Sequence, residues 1–331
     1  MGLNKRLIDQ VGGAAAGAAD LLSLQHYTGT GSTFSVTGVG FAPAMSWYKA
    51  LEHSDHWGMN MLFNTSISYR PSDTLNYISF PYHTLNSDGF TVNSSGGIHN
   101  TAGEDFANYV FKGGGTPSNN TDGSITSSVS ANVEGGFSTF TYTGTGSNAT
   151  FGHGLNSAPE LVVIKNISDS TRNWIVHFST LGAGAYMFLN ELNANASSTA
   201  RIAGTSSTTI SIGTSVNVNG SGSGYIGFAF HSVDATSKVG SFTGNGNASQ
   251  DITTGFQPKF LMIKSTASSH WFVFDTIQGT GEGTSNVILA NNETLQLTGR
   301  DGVDFISNGF RIYDGDNYNT SSQQYVYLAI A

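Results

Sequence analysis

The sequence predicts an all-β protein: tandem antiparallel β-sandwich repeats that follow a short N-terminal docking arm, helical or extended. Three observations favour this fold class: the composition, an internal repeat, and the short spacing between turn signals. Of 331 residues, 42 are glycine, only 11% are charged and 11% are aromatic. Aromatic and β-branched residues favour strands, whereas Gly, Asn and Ser favour turns. The composition therefore predicts many short strands joined by turns.

The same composition excludes several functional classes. The chain has no Cys, which excludes a disulfide framework, a thiolate metal site and a cysteine nucleophile. It has 13 Lys plus Arg against 22 Asp plus Glu, without a basic run. This balance argues against nucleic-acid binding, which requires neutralisation of phosphates. No stretch of 18 apolar residues occurs, so we expect no membrane-spanning helix.

Residues 1–24 differ from the rest of the chain and form the predicted docking arm. Lys5 and Arg6 precede an apolar run, but Asp9 and Gln10 interrupt it, which argues against a secretory signal. Small residues in the arm allow another backbone to approach closely. The alternative is that the arm folds back on its own domain. The apolar residues expected to dock on a partner are Leu7, Val11, Leu21, Leu22 and Leu24.

An internal repeat organises the remainder of the chain. Each copy opens with an aromatic-Thr-Gly-x-Gly turn, at 27–31, 142–146 and 242–246. A proline follows, and a lysine lies six residues after it. A polar turn and a Trp-led strand come next. The successive prolines, lysines and tryptophans are Pro43, Pro159 and Pro258; Lys49, Lys165 and Lys264; and Trp57, Trp174 and Trp271.

The repeat divides the chain into three units after the arm. Unit 1 spans 25–112, unit 2 spans 137–238 and unit 3 spans 239–331, with about seven short strands expected in each. Residues 113–136 form a Gly/Ser/Thr/Asn linker whose alternation predicts an added edge strand. Later in each unit we align segments 76–81, 185–190 and 285–291. The repeated tryptophans are interpreted as core residues, with ligand stacking as the alternative.

No catalytic constellation stands out. Glu104 and Asp105 are adjacent, so in a strand they point to opposite faces and cannot converge as a glycosidase pair. Asp314 and Asp316 have no counterparts in the other units. The glycine clusters at 220–224 and 279–283 are not followed by a helix pattern, which argues against a phosphate loop. We expect no catalytic residue and no cofactor.

Two segments carry possible metal ligands. His53, Asp55 and His56 lie in a hairpin turn whose sequence differs between units, so a solvated turn is favoured over a metal site. Residues 314–319 place oxygen-bearing side chains at alternate positions but lack the terminal glutamate of a calcium loop. A turn rich in Asn and Asp is the favoured interpretation there. The sequence therefore predicts no metal site.

Together, the repeated motifs resemble a tandem domain of tail-fibre-like and other virion proteins of tailed bacteriophages. The match runs from the linker through units 2 and 3, including NWIVHF, SGYIGFAF, KFLMIKS and YVYLAIA in order. Unit 1 matches as a diverged copy. The resemblance implies a structural or host-recognition role and brings no known binding residues.

On this resemblance, the expected function is that of a virion protein, a tail fibre or spike. The arm would dock on a tail adaptor or nozzle protein, and the distal unit would contact a host glycan or protein. Alternatives are a capsid decoration or head-fibre protein docked on the capsid, a non-viral adhesin or carbohydrate-binding protein, and a polysaccharide-degrading enzyme. By analogy with fibres, we expect a homotrimer. Unit 3 lies farthest from the arm along the chain, so the expected receptor contacts are Tyr313, Asn317 and Tyr318.

Overall fold

The computed structural model describes most of the chain. The described residues are 21–54, 57–75, 77–94, 99–279, 285–294, 296–300, 302–313 and 318–331. Within them the protein is nearly all β, with one short α-helix and one turn of 3-10 helix. The predicted fold class is confirmed. Residues 1–20 of the predicted arm lie outside the described residues.

Unit 1 forms two antiparallel sheets. Its strands are β1 (Leu22–Thr28), β2 (Phe34–Thr37), β3 (Pro43–Ala50), β4 (Gly58–Met61), β5 (His83–Asn86), β6 (Gly89–Val92) and β7 (Asp105–Lys112). The larger sheet has the order β1-β7-β3-β4, and the smaller has the order β2-β6-β5. The first and last strands of the unit are therefore neighbours, which closes the unit on itself.

The linker contributes strands to unit 2. It supplies β8 (Ser118–Asn120) and β9 (Ser127–Asn132). The strands that follow are β10 (Phe137–Thr143), β11 (Ala149–Gly152), β12 (Leu161–Asn166), β13 (Ile175–Phe178), β14 (Ala185–Phe188), β15 (Ala196–Ser197), β16 (Ile202–Thr205), β17 (Thr209–Ile212) and β18 (Gly224–Phe230). The 3-10 turn spans Ser179–Leu181, and helix α1 spans Val216–Asn219. The linker adds strands to the sheet of unit 2, since β9 pairs with β10 and β8 forms the edge beyond it.

Unit 3 has the same arrangement as unit 2 without the linker strands. Its strands are β19 (Ser237–Thr243), β20 (Ser249–Thr253), β21 (Phe260–Ser265), β22 (Phe272–Asp275), β23 (Ser285–Leu289), β24 (Leu297–Arg300), β25 (Val303–Ile306), β26 (Gly309–Tyr313) and β27 (Gln324–Ile330). The large sheets of units 2 and 3 have the orders β15-β14-β13-β12-β18-β10-β9-β8 and β19-β27-β21-β22-β23-β24, and the small sheets the orders β11-β17-β16 and β20-β26-β25. Unit 3 begins at β19, two residues before the predicted boundary.

Both faces of each large sheet are buried. In β12, Val162 and Ile164 face the small sheet of their own unit, whereas Leu161 and Val163 belong to a second core. Alternate side chains of a strand point to opposite faces, so a strand that is apolar throughout must be covered twice. The second cover is supplied by the other two units, because the second core contains residues of all three. We call it the shared core.

The shared core joins every pair of units. Between units 1 and 3, the rings of Tyr109 and Phe260 have centroids 5.0 Å apart. Between units 1 and 2, Phe111 contacts Phe137 with centroids 5.3 Å apart. Between units 2 and 3, the rings of Phe178 and Trp271 have centroids 6.2 Å apart. Each buried ring of this size stabilises the fold by about 1.5–3 kcal/mol. The units therefore form a closed ring, in which unit 3 contacts unit 1 directly as well as unit 2.

One part of the repeat alignment is corrected. Segments 185–190 and 285–291 are equivalent, because Asn190 and Asn291 each accept a hydrogen bond from the backbone N–H of the tryptophan in their own unit. In unit 1 this acceptor is the Ser72 hydroxyl. The segment of unit 1 that is equivalent to 185–190 and 285–291 therefore lies around residue 72 rather than at 76–81. The reason is that unit 1 has a shorter connection after its Trp-led strand.

Candidate functional site

The predicted docking residues split into two groups. Leu7 and Val11 lie outside the described residues. Leu21 and Leu22 are 2% and 3% exposed and belong to the shared core, and Leu24 packs against that core. The Leu21 carbonyl accepts a hydrogen bond from the Lys112 N–H at 3.0 Å. Their assignment to a docking surface is wrong, because these leucines anchor the start of β1 inside the molecule.

The three predicted receptor contacts lie in different environments or outside the described residues. Asn317 lies outside the described residues. Tyr318 is 1% exposed, with its ring against Phe272 and Phe274 at centroid distances of 4.6 and 5.5 Å. Tyr318 is a core residue, so its prediction as a receptor contact is wrong. Tyr313 is half-buried, and its hydroxyl donates to Asp304 Oδ2 at 2.6 Å.

The candidate metal segments are only partly described. Asp55, His56 and residues 314–317 lie outside the described residues. Within the described part of the chain, no group of three or more His, Asp or Glu side chains could hold a metal ion. The Asp105 carboxylate accepts a hydrogen bond from the Thr28 hydroxyl at 2.6 Å, which ties together two neighbouring strands.

Buried asparagines hold the repeated Gly-containing turns. In unit 2, Asn219 accepts a hydrogen bond from the Thr145 N–H at 2.7 Å and donates to the Ser147 carbonyl at 2.6 Å. Asn100 and Asn319 make the matching contacts in units 1 and 3. Asn319 therefore organises a turn rather than a calcium loop. The signal was present in the sequence, since each asparagine lies five residues before the last strand of its unit.

The repeated tryptophans are core residues, as predicted, and they also link the units. The Trp57 indole N–H of unit 1 donates to the Leu289 carbonyl of unit 3 at 2.8 Å. Trp271 of unit 3 donates to the Phe188 carbonyl of unit 2 at 2.8 Å. Trp174 of unit 2 donates to the Arg70 carbonyl of unit 1 at 3.0 Å. The three bonds run in one rotational sense, which gives the ring a pseudo-threefold character that sequence analysis missed.

The repeated lysines lie beside these contacts and are buried. The Lys49 ammonium donates to the Glu293 carbonyl of unit 3 at 3.2 Å, and the Lys165 ammonium donates to the Thr74 carbonyl of unit 1 at 2.7 Å. Lys264 donates to the Ser269 carbonyl of its own unit at 2.6 Å. Burial lowers the pKa of Lys165 and of Lys264 to about 8. These lysines join backbone segments and are structural.

A polar network lies between units 1 and 3. The Tyr109 hydroxyl donates to Asp275 Oδ2 at 2.7 Å. The Ile277 N–H also donates to this carboxylate, at 2.9 Å. Burial raises the pKa of Asp275, and burial together with the Asp275 charge raises that of Tyr109. Each group has its partner within the network, so the network links units 1 and 3 through hydrogen bonds.

The outer face of the small sheet of unit 2 carries an open groove of about 640 Å³. Its floor includes the cross-strand pair Thr150 and Ser211, whose strand neighbours Phe151 and Ile210 face the core. The linker forms one wall, because the Ser124 N–H donates to the Thr150 hydroxyl at 3.1 Å. Its polar lining side chains are Ser124, Asn148, Thr150, Thr199, Ser211 and Thr214. We call this surface the unit 2 groove.

The fold defines a class of protein: a ring of three β-sandwich units closed within one chain. A family model described as a domain of unknown function (DUF7483) matches residues 18–331, and the chain belongs to this family. Neither a curated protein nor a solved structure matches the chain. In the described part of the chain, no helix is long and apolar enough to cross a membrane.

Proposed function

We propose that this protein is a non-enzymatic structural component of a bacteriophage particle, attached to the tail as a fibre or spike component and involved in contact with the host surface. The observation that carries the proposal is the ordered set of repeat motifs, which resembles the tandem domain of tail-fibre-like proteins. The repeated tryptophans, with Lys49 and Lys165, support a structural role, because they hydrogen-bond between units. The proposal places the docking function in residues 1–20.

A second candidate is a capsid decoration or head-fibre protein. The observation that favours it is the closed ring: each unit contacts both others, whereas an extended fibre is built from units in a row. The closed ring also limits which surfaces could form the expected homotrimer. Three units of one chain complete the shared core, so subunits of a homotrimer would meet through other surfaces.

Immunogold labelling of purified particles tests the proposal. An antibody against residues 137–331 should place gold at the tail. Gold over the head would favour the second candidate. Particles that neither label nor contain the protein by mass spectrometry would overturn both.

A deletion tests the docking segment. Removing residues 1–20 leaves Leu21, Leu22 and the rest of the described body in place. We expect this variant to fold with an unchanged unfolding midpoint and to be lost from particles. Normal incorporation of the variant would contradict the docking role.

A further inference from the structure

We propose that the unit 2 groove binds a short neutral oligosaccharide. This inference deepens the proposed function and rests on it, since it names a ligand class for contact with the host surface. The argument depends on a comparison of the same surface position in the three units.

The three small sheets carry equivalent cross-strand pairs on their outer faces. The pair is Ser35–Thr91 in unit 1, Thr150–Ser211 in unit 2 and Asp251–Arg311 in unit 3. In unit 1 the two hydroxyls are 2.9 Å apart and hydrogen-bond to each other. In unit 3 the guanidinium donates to both carboxylate oxygens, at 2.6 and 3.0 Å. Both pairs satisfy their own polar groups.

Unit 2 differs because the two side chains of its pair, Thr150 and Ser211, do not hydrogen-bond to each other. The Thr150 hydroxyl accepts from the linker, and the Ser211 hydroxyl has no hydrogen-bond partner among the described residues. Asn148, Thr199 and Thr214 are exposed around it, and their side chains also make no hydrogen bond to a described residue. This arrangement offers several hydroxyl groups and one amide to a ligand.

The linker wall is closely fitted to the sheet. A Cβ atom on Gly123 would lie 2.3 Å from the Thr150 carbonyl oxygen and 2.5 Å from the Phe151 Cα. Only glycine allows this approach. The Ser124 hydroxyl also accepts a hydrogen bond from the Thr150 N–H at 2.9 Å. The linker, which is specific to unit 2, is therefore fixed against the sheet, and its Ser124 lines the groove.

The chemistry of the lining selects the ligand class. Among the residues that the structure describes, no Asp, Glu, Lys, Arg or His side chain lines the groove, so none of them compensates the desolvation of a charged ligand. Hydroxyl and amide groups can donate and accept hydrogen bonds, which matches the hydroxyls of a neutral sugar. Ala200 and Ala203 supply small apolar contacts for the C–H face of a sugar ring. The volume falls within the usual range of ligand sites, about 300–1,000 Å³.

The test uses the purified full chain and saturation-transfer NMR. The probes are neutral tri- and tetrasaccharides containing glucose, galactose or N-acetylglucosamine, with a sialylated trisaccharide and inorganic phosphate as charged probes. We expect at least one neutral probe to bind saturably and the charged probes to be rejected. Absence of binding by every neutral probe, or preference for a charged probe, would overturn the proposal.

The ion pair of unit 3 suggests a variant that should block the unit 2 groove. The double substitution Thr150→Asp and Ser211→Arg builds a pair that the same sheet geometry already accepts in unit 3. We expect it to weaken sugar binding at least tenfold while the circular dichroism spectrum and the unfolding midpoint stay unchanged. The matched control is Ser35→Asp with Thr91→Arg in unit 1, which should leave binding unchanged.

Two single substitutions test the site independently if the double variant fails to fold. Ser211→Ala and Asn148→Ala each remove one ligand-facing group, and each should weaken binding severalfold. Equal binding by the wild type and all groove variants would place the sugar elsewhere and refute the site. Because the assay uses the isolated chain, its failure would leave the tail location to be decided separately by immunogold labelling.

Discussion

Replacing Trp174 by phenylalanine should destabilise the protein by removing a hydrogen bond between two units. The indole N–H of this fully buried residue donates to the Arg70 carbonyl at 3.0 Å. A second donor, the Asp73 N–H, lies at 3.4 Å from that oxygen, which is a weaker contact. Leaving a buried polar group poorly paired costs about 1–3 kcal/mol.

Loss of the outer part of the indole ring adds to this cost. A smaller ring in a close-packed core leaves a cavity, which costs about 1–2 kcal/mol for this change. The expected loss is therefore about 2–5 kcal/mol in the free energy of unfolding. The measurement is guanidinium unfolding followed by circular dichroism, with the midpoint compared at a constant slope.

The chain offers a matched control in Trp47. This residue is 2% exposed in the same core, with its ring centroid 5.0 Å from that of Trp57. Its indole N–H has no hydrogen-bond partner among the described residues. Trp47→Phe should therefore lower the free energy of unfolding by the cavity contribution alone, about 1–2 kcal/mol. If Trp174→Phe costs no more than Trp47→Phe, the hydrogen bond between the units does not stabilise the ring.

Two further predictions follow from the buried polar groups. The pKa of Lys165 and of Lys264 is lowered to about 8 in the folded state. The unfolded chain therefore binds more protons above this pH, and stability should rise by at most about 2 kcal/mol per lysine up to about pH 9.5. Above about pH 10 the sign reverses, because burial raises the pKa of tyrosines such as Tyr142. Unfolding midpoints between pH 7 and pH 11 check this, and a monotonic fall would contradict the lysine contribution. Asn219→Ala should cost about 2–3 kcal/mol, because it leaves the Thr145 N–H and the buried Gly213 carbonyl without their partner; thermal unfolding measures it, and a loss below about 0.5 kcal/mol, the usual size for a surface change, would contradict the role of the turn.

Local patterns predicted the strands well. The aromatic-Thr-Gly-x-Gly turns and the Trp-led strands lie where the repeat predicts them, because strand periodicity and turn chemistry depend on neighbouring residues. The alternating linker segment forms β9, which pairs with β10. The alignment of unit 1 failed after its Trp-led strand, since a change in connection length leaves no local signal.

The candidate sites were predicted poorly, for a different reason. Leu22 and Tyr318 are apolar or aromatic residues in segments that the sequence places at an end or a turn. Their burial depends on segments far away in the chain, such as β7 for Leu22 and β22 for Tyr318. The unit 2 groove was missed because its Ser, Thr and Asn residues are common throughout the sequence.

The sequence by itself determined the all-β class, the three repeated units and the residue types at their equivalent positions. The segment Leu161 to Ile164 is apolar on both strand faces, and a strand of this kind must be covered on both. Only the tertiary structure decided what the second cover is, because contacts between distant segments follow from packing rather than from local preference. The closed ring, its tryptophan hydrogen bonds and the linker wall of the groove all depend on such contacts.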